Sequence, residues 1–233
     1  GDFEAITSAG SFDIVVRQAT KTAVEVQADD NLLPLIETVV EQGKHGRMLV
    51  VRTRRGNSIS HRGSVKIAID VVRLHAITSA GSGDVRVESL KTPAFKLTIA
   101  GASDARLGGL DTDRFELGIS GSGDVVGAGR ARQVKISIAG SGDADLGDLV
   151  ADEVSVSIAG SGDANVTANQ SLDVSVAGSG AFLYLGATWT LDVGAGHRAL
   201  ALLGDLQLDR VAALVADAQP LDGQDDLGDV LVD

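Results

Sequence analysis

Apolar and polar residues alternate in five segments in the middle of the chain. A period of two is the pattern of a β-strand that buries one face and exposes the other to solvent. Polar residues such as Lys135, Ser137 and Ser155 stand between the apolar positions and are predicted to point outward. The pattern therefore predicts five half-buried strands, whose inward rows are Phe95/Leu97/Ile99, Phe115/Leu117/Ile119, Val134/Ile136/Ile138, Val154/Val156/Ile158 and Leu172/Val174/Val176.

A glycine-rich turn follows each of these segments. The stretch IAGSGDA occurs at 138–144 and again, unchanged, at 158–164. The first glycine of the turn recurs at spacings of 18 to 20 residues, at Gly81, Gly101, Gly121, Gly140, Gly160 and Gly178. Self-similarity at a fixed period of this length indicates a repeat architecture in which each unit stacks on the next.

The repeats predict an all-β fold, a right-handed parallel β-helix or a closely related β-solenoid with coils of about 20 residues. A single coil cannot bury its apolar row, whereas coils stacked about 4.8 Å apart bury it against the same row of the next coil. Residues 76–185 are predicted to form these regular coils. Ile138 and Ile158 should then be direct neighbours in one aliphatic stripe.

The two ends of the chain depart from the repeat. Residues 1–75 are predicted to form irregular β coils or a cap continuous with the solenoid, with a turn or short helix around Pro34. Residues 186–233 are predicted to form degenerate final coils or a cap with an acidic tail. Within them Leu206/Leu208 fit one more strand, and DRVAALVADA at 209–218 fits a short helix. The strands predicted in the first region are Phe12 to Arg17, Ala23 to Ala28, Met48 to Arg52 and Val65 to Ile69.

Charge and composition argue against several classes of partner and site. The net charge is −12, and residues 76–233 hold 10 Lys/Arg against 23 Asp/Glu, so this part of the chain would repel a nucleic-acid backbone. There is no cysteine for a disulfide or a thiolate metal site, and no apolar run reaches the length of a membrane span. A basic cluster is interpreted as a solvated edge or loop and comprises Arg52, Arg54, Arg55, Arg62 and Lys66.

The repeated turn places one aspartate in each coil. Carboxylates stacked about 4.8 Å apart repel by about 1 kcal/mol in water and by about 3 to 4 kcal/mol at an effective dielectric constant near 20. Backbone N–H donors or a bound Ca²⁺ would relieve this repulsion. A structural role in the turn is the favoured interpretation and a calcium site the alternative, with no other cofactor indicated; the residues are Asp84, Asp104, Asp124, Asp143 and Asp163.

Catalysis is weakly indicated. Parallel β-helices host polysaccharide-acting enzymes that use paired carboxylates, and the candidates here are Asp145, Asp148, Asp152 and Glu153. Sugar clefts use stacking aromatic residues, however, and beyond five phenylalanines the chain has only Tyr184 and Trp189. The four histidines are not spaced as metal ligands; they are His45, His61, His75 and His197. The chain is therefore predicted not to be an enzyme, and its broken rows of Ser and Thr argue against ice binding.

Three features carry a resemblance to a known family. They are F-x-x-I-x-x-x-G-S-F-D-I-V-V from Phe3 to Val16, ADDNLLPLIET from Ala28 to Thr38, and the serial SGSGD turns. In this order, over about residues 3–185, the chain resembles the bacterial head-GIN-domain proteins, which are described as adhesin heads of autotransporters.

The resemblance implies a β-helix-like domain exported to the cell envelope, and so a periplasmic, cell-surface or secreted location. It implies a non-enzymatic, adhesin-like binding or scaffold domain whose partner is another macromolecule, such as a glycan or a surface protein. Association of copies through an uncapped end is a further expectation from the exposed strand edges.

Overall fold

The computed structural model describes residues 2–43, 46–57, 65–186, 191–193, 197–202 and 211–217. Within these ranges the chain is all-β, and its only helical element is a 3-10 turn at Leu33–Leu35. The strands form a β-solenoid of about five turns with stacked coils of about 20 residues. The predicted fold class is confirmed.

The regular coils stack in parallel and in register. Ile138 pairs with Ile158 and Gly140 pairs with Gly160, so residues one period apart are direct neighbours as predicted. In the middle coils each strand runs for 15 to 17 residues and turns corners at register shifts. The strands are β7 Ala76–Gly81, β8 Val85–Val87, β9 Leu90–Gly101, β10 Ala105–Gly121, β11 Val125–Gly140, β12 Ala144–Gly160 and β13 Ala164–Gly178.

Aliphatic rows fill the interior of the coils. The middle row of the five predicted strands is at most 2% exposed and runs through Leu97, Leu117, Ile136, Val156 and Val174. In the adjacent row the rings of Phe95 and Phe115 stack with centroids 5.8 Å apart and planes 7° apart. Since each inward side chain rests on its counterpart in the next coil, burial of the apolar rows holds the stack together.

The N-terminal strands extend the same stack and then cover its first edge. β1 pairs in parallel with β5 and β7, and β2 with β6 and β8, whereas β3 and β4 add antiparallel to β6 and β5. β4 was not among the predicted strands, because its sequence IETVVEQG lacks a period of two. The strands are β1 Ala5–Gly10, β2 Phe12–Gln18, β3 Ala23–Gln27, β4 Ile36–Gly43, β5 Gly46–Thr53 and β6 Val65–Val71.

The last strands leave the parallel scheme. β14 and β15 pair in parallel with β13, but β17 runs antiparallel to both β14 and β16. The helical alternative for 209–218 is wrong, since β17 lies within it and takes its backbone partners from two neighbouring strands. These strands are β14 Phe182–Gly186, β15 Leu191–Val193, β16 His197–Leu202 and β17 Val211–Asp217. The acidic tail at 218–233 lies outside the described residues.

Among the described residues, no helix is long and apolar enough to cross a membrane.

Candidate functional site

The first glycine of each turn has a backbone conformation that L side chains rarely adopt. Its φ lies between 122° and 154° at Gly10, Gly81, Gly101, Gly121, Gly140, Gly160 and Gly178. A Cβ at Gly160 would also overlap the carbonyl oxygen of Gly140 in the preceding coil. The same oxygen accepts a hydrogen bond from the N–H of Ser161 at 2.9 Å. Glycine is therefore required here by the backbone and by the close approach of the coils.

The second glycine of the turn is buried. A Cβ at Gly162 would overlap the backbone of Gly142, one coil away. Two coils carry a side chain at this position: the ring of Phe12 is 1% exposed near the N-terminal end of the stack, and the hydroxyl of Ser103 accepts a 3.0 Å hydrogen bond from that of Ser79. The second position of the motif is therefore part of the packed interior of the solenoid.

The aspartate of the turn accepts a hydrogen bond from the next coil. In four contacts the carboxylate oxygen Oδ1 receives a backbone N–H from one period later in the chain, and in the fifth Asp13 receives the N–H of Asp84, 71 residues later. The donors and acceptors are Asp84 to Asp13 (3.4 Å), Asp124 to Asp104 (3.0 Å), Asp143 to Asp124 (3.0 Å), Asp163 to Asp143 (2.8 Å) and Ala181 to Asp163 (2.7 Å). Charge-assisted hydrogen bonds of this kind stabilise a carboxylate and so offset repulsion along the column.

These contacts give the carboxylates of Asp104, Asp124, Asp143 and Asp163 the structural role that the sequence favours. Asp84 takes part through its backbone N–H. Among the residues that the structure describes, no three His, Cys, Asp or Glu side chains form a group suited to a metal ion. Calcium binding by Asp84, Asp104, Asp124, Asp143 and Asp163 stays a prediction. Backbone N–H groups act in this column as the donors for which a bound cation was the alternative.

Two of the four candidate carboxylates of an enzyme serve separate structural contacts. Asp145 accepts from the side-chain amide of Asn165 at 2.9 Å, and Glu153 accepts from Gln133 at 2.8 Å. Tyr184 is 4% exposed and its hydroxyl donates to the carbonyl of Ala168 at 3.0 Å, so its ring is not available to stack on a sugar. Asp148 is exposed and Asp152 half-buried.

Of the four histidines, the structure describes the side chain of His75 alone. His75 is half-buried beside the first regular coil. His45, His61 and Trp189 lie outside the described residues, as do Arg62 of the basic cluster and the side chain of His197.

One face of the solenoid presents four outward columns across five coils, and we call it the ladder face. It consists of segments 94–100, 114–120, 133–139, 153–159 and 171–177, which pair in register. The columns are Ala94/Arg114/Gln133/Glu153/Ser171, Lys96/Glu116/Lys135/Ser155/Asp173, Thr98/Gly118/Ser137/Ser157/Ser175 and Ala100/Ser120/Ala139/Ala159/Ala177. Two of the columns thus consist entirely of small residues, whereas the other two carry all the charged and amide side chains of this face together with Ala94, Ser155 and Ser171.

The long polar side chains of the ladder face contact one another between coils. Lys96 pairs with Glu116 at 3.2 Å, and Gln133 accepts from Arg114 at 3.4 Å and donates to Glu153 at 2.8 Å. An open depression of about 370 Å³ runs between these two columns. Arg114 and Gln133 were not among the predicted site residues, because their contact depends on the register between coils.

Solved structures share this fold. A putative adhesin from Bacteroides fragilis NCTC 9343 aligns with a TM-score of 0.75 at 26% identity, covering 83% of this chain and 88% of that one. A putative lipid binding protein from Parabacteroides distasonis ATCC 8503 aligns with a TM-score of 0.66 at 25% identity, covering 82% and 89%. A putative adhesin from Parabacteroides merdae ATCC 43184 shares the fold at 22% identity and a TM-score of 0.65, covering 83% and 89%.

No curated protein matches the chain. A family profile matches residues 2–188, which include the turn motifs and the ladder face. The chain therefore belongs to the family described as "Putative auto-transporter adhesin, head GIN domain".

Proposed function

We propose that the chain is a non-enzymatic, adhesin-like domain that acts at the cell surface, in the periplasm or after secretion, and binds another macromolecule through its ladder face. The observation that carries this proposal is the in-register repetition of outward side chains over five coils. Membership of an adhesin-head family supports the same function.

The shape of the ladder face favours a macromolecular partner over a small substrate. Its columns are extended, and its depression is open and lined by long polar residues such as Glu116, Lys135 and Asp173. A row of groups repeated at the coil spacing fits a partner that is itself repetitive, such as a glycan or a surface protein with an exposed strand. The interior rows are occupied by the chain's own side chains, so the described coils leave no lumen for a lipid tail.

A binding array of glycans and matrix proteins, with a spot of the chain itself, tests the proposal. The purified chain is applied with and without Ca²⁺. A Ser137→Trp variant places a bulky ring in the centre of the ladder face, and Val126→Trp is the matched control because Val126 is already 47% exposed in a different column.

We expect binding to at least one spot, lost in Ser137→Trp and kept in Val126→Trp. The proposal would be wrong if the wild-type chain bound nothing on the array, or if both variants bound as well as the wild type. Release of reducing ends from a polysaccharide would instead indicate an enzyme.

A further inference from the structure

We propose that the ladder face binds a second copy of the same chain, with the two solenoids antiparallel. This inference rests on the proposed function, because it names the partner of the same face. Three observations support it: the charge balance of the face, the order of its charges along the stack, and the small side chains beside them.

The ladder face is electrically neutral on a strongly acidic chain. It carries three basic side chains, Lys96, Arg114 and Lys135, and three acidic ones, Glu116, Glu153 and Asp173, whereas the whole chain has a net charge of −12. Long-range repulsion opposes contact between two copies least where the local charge is balanced. This face is therefore suited to approach by another copy.

The order of the charges is self-complementary about the coil that contains Gln133 and Lys135. Arg114 lies one coil before this centre and Glu153 one coil after it in the same column. Lys96 lies two coils before the centre and Asp173 two coils after it. Two pairs of positions thus carry opposite charges at equal distances from the middle of the face. The position that matches Glu116 holds the uncharged Ser155.

A twofold axis that lies in the interface, parallel to the strands and through this central coil, brings the opposite charges together. The operation reverses the stack and leaves each column facing itself, which gives an isologous contact. Arg114 then faces Glu153 of the second copy, and Lys96 faces Asp173 of the second copy, each pair occurring twice. The two Lys135 side chains meet at the axis, where Glu116 of either copy lies one coil away.

The existing contacts do not prevent this rearrangement. The Lys96–Glu116 pair is exposed, with side chains 60% and 41% accessible. Exposed ion pairs contribute only about 0 to 1 kcal/mol, so exchanging a partner within the chain for one on a second copy costs little.

The other two columns allow the faces to come close. Their members are Gly, Ala, Ser and Thr, which project little from the sheet. With columns about 7 Å apart and coils about 4.8 Å apart, the face covers roughly 500 to 650 Å² per copy. Two copies would bury about 1,000 to 1,300 Å² in total, which is at the lower end of specific interfaces and is the size typical of a reversible, transient contact.

Sedimentation velocity of the full chain over a concentration series tests the inference. We expect a monomer–dimer equilibrium in the wild type. Glu153→Arg places arginine opposite Arg114 of the second copy and should raise the dimer Kd by about tenfold or more. The double variant Arg114→Glu/Glu153→Arg restores opposite charges and should return the Kd to within about threefold of the wild-type value.

Asp148→Arg is the matched control for net charge, because Asp148 is exposed outside the ladder face and the substitution changes the charge by the same amount. Its Kd should equal that of the wild type. Circular dichroism of every variant checks the fold. A monomer at all concentrations would overturn the inference, and so would a wild-type Kd in Glu153→Arg or a failure of the double variant to restore dimerisation.

The array separates this inference from the proposed function. If the chain stays monomeric but Ser137→Trp loses binding to a glycan or matrix protein, the inference fails and the proposed function stands. If Ser137→Trp changes neither self-association nor any other binding, both fail.

Discussion

At the scale of single residues, the GSGD turn is explained by backbone geometry and hydrogen bonding. Its first glycine has a positive φ, its second is buried against the preceding coil, and its aspartate accepts a backbone N–H from the following coil. Each residue of the motif thus has a partner one period away. The motif recurs because each coil must bind the next. Its repetition is therefore explained by the fold and does not by itself indicate a binding site.

Gly160→Ala should destabilise the fold by about 2 to 4 kcal/mol, because φ is +141° there and the added Cβ would overlap the carbonyl oxygen of Gly140. Chemical denaturation measures the loss. Gly118→Ala is the control, since nothing lies within 4 Å of its added Cβ. We expect that variant to lie within about 0.5 kcal/mol of the wild type. Equal losses in the two variants would contradict the steric explanation.

Asp143→Ala should cost about 1 kcal/mol, because it removes the oxygen that accepts the N–H of Asp163 at 2.8 Å. Asp143→Asn keeps an acceptor oxygen and removes a charge from the column, so its stability should stay close to that of the wild type. If the aspartates act only in the turn, the Tm of the wild type is the same in millimolar Ca²⁺ and in EDTA. A Tm that rises with Ca²⁺ and loses this rise in Asp143→Asn would assign a calcium site instead.

At the scale of elements, the parts of the fold predicted from sequence are those in which a period is visible. The Ile138–Ile158 pairing follows from the repeat, and the strands of the regular coils follow from alternation. β4 was missed because a half-buried edge strand has no clean alternation, and β17 was ambiguous because an alanine-rich segment suits a helix until its strand partners are known. The contacts between side chains of the ladder face were not predicted, since the residues that pair between coils can be identified only when the register is known.

The hairpin of β4 and β5 is held by a charged cluster on its surface. Arg52 pairs with Glu37 at 2.8 Å and with Glu41 at 3.0 Å. The hydrogen bond from Arg52 is the largest influence and lowers the pKa of Glu37. Burial is the next largest and raises this pKa, and the charges of Arg52, Arg54 and Arg55 lower it. The basic cluster is therefore more than a solvated edge or loop, because its member Arg52 links β4 to β5 through two ion pairs.

Arg52→Met should raise the pKa of Glu37 towards the ordinary glutamate value of about 4.3. A carboxyl whose pKa is lowered by folding stabilises the fold above its unfolded pKa, and this contribution is lost as the pH falls through the folded pKa. An NMR titration of the Glu37 carboxyl measures the shift. Arg17→Met, which removes a pair with Asp70 on β2 and β6, is the control and should leave the Glu37 pKa unchanged.

At the scale of the whole molecule, the register of the coils predicts that one coil can be removed without changing the fold of the others. Deleting residues 141–160 joins Gly140 to Ser161 and recreates the sequence IAGSGDA across the junction. Ile138 would then rest on Val176, which already follows Ile158 in the same inward row. Because a repeat protein's stability is roughly a sum over units and their interfaces, the shortened chain should fold cooperatively with a Tm lower by roughly 5 to 10 °C.

Deleting only residues 151–160 removes half a coil and misaligns every later row, so that variant should lack cooperative unfolding. Calorimetry distinguishes the two, and cooperative unfolding of the half-coil deletion would contradict stacking in a fixed register.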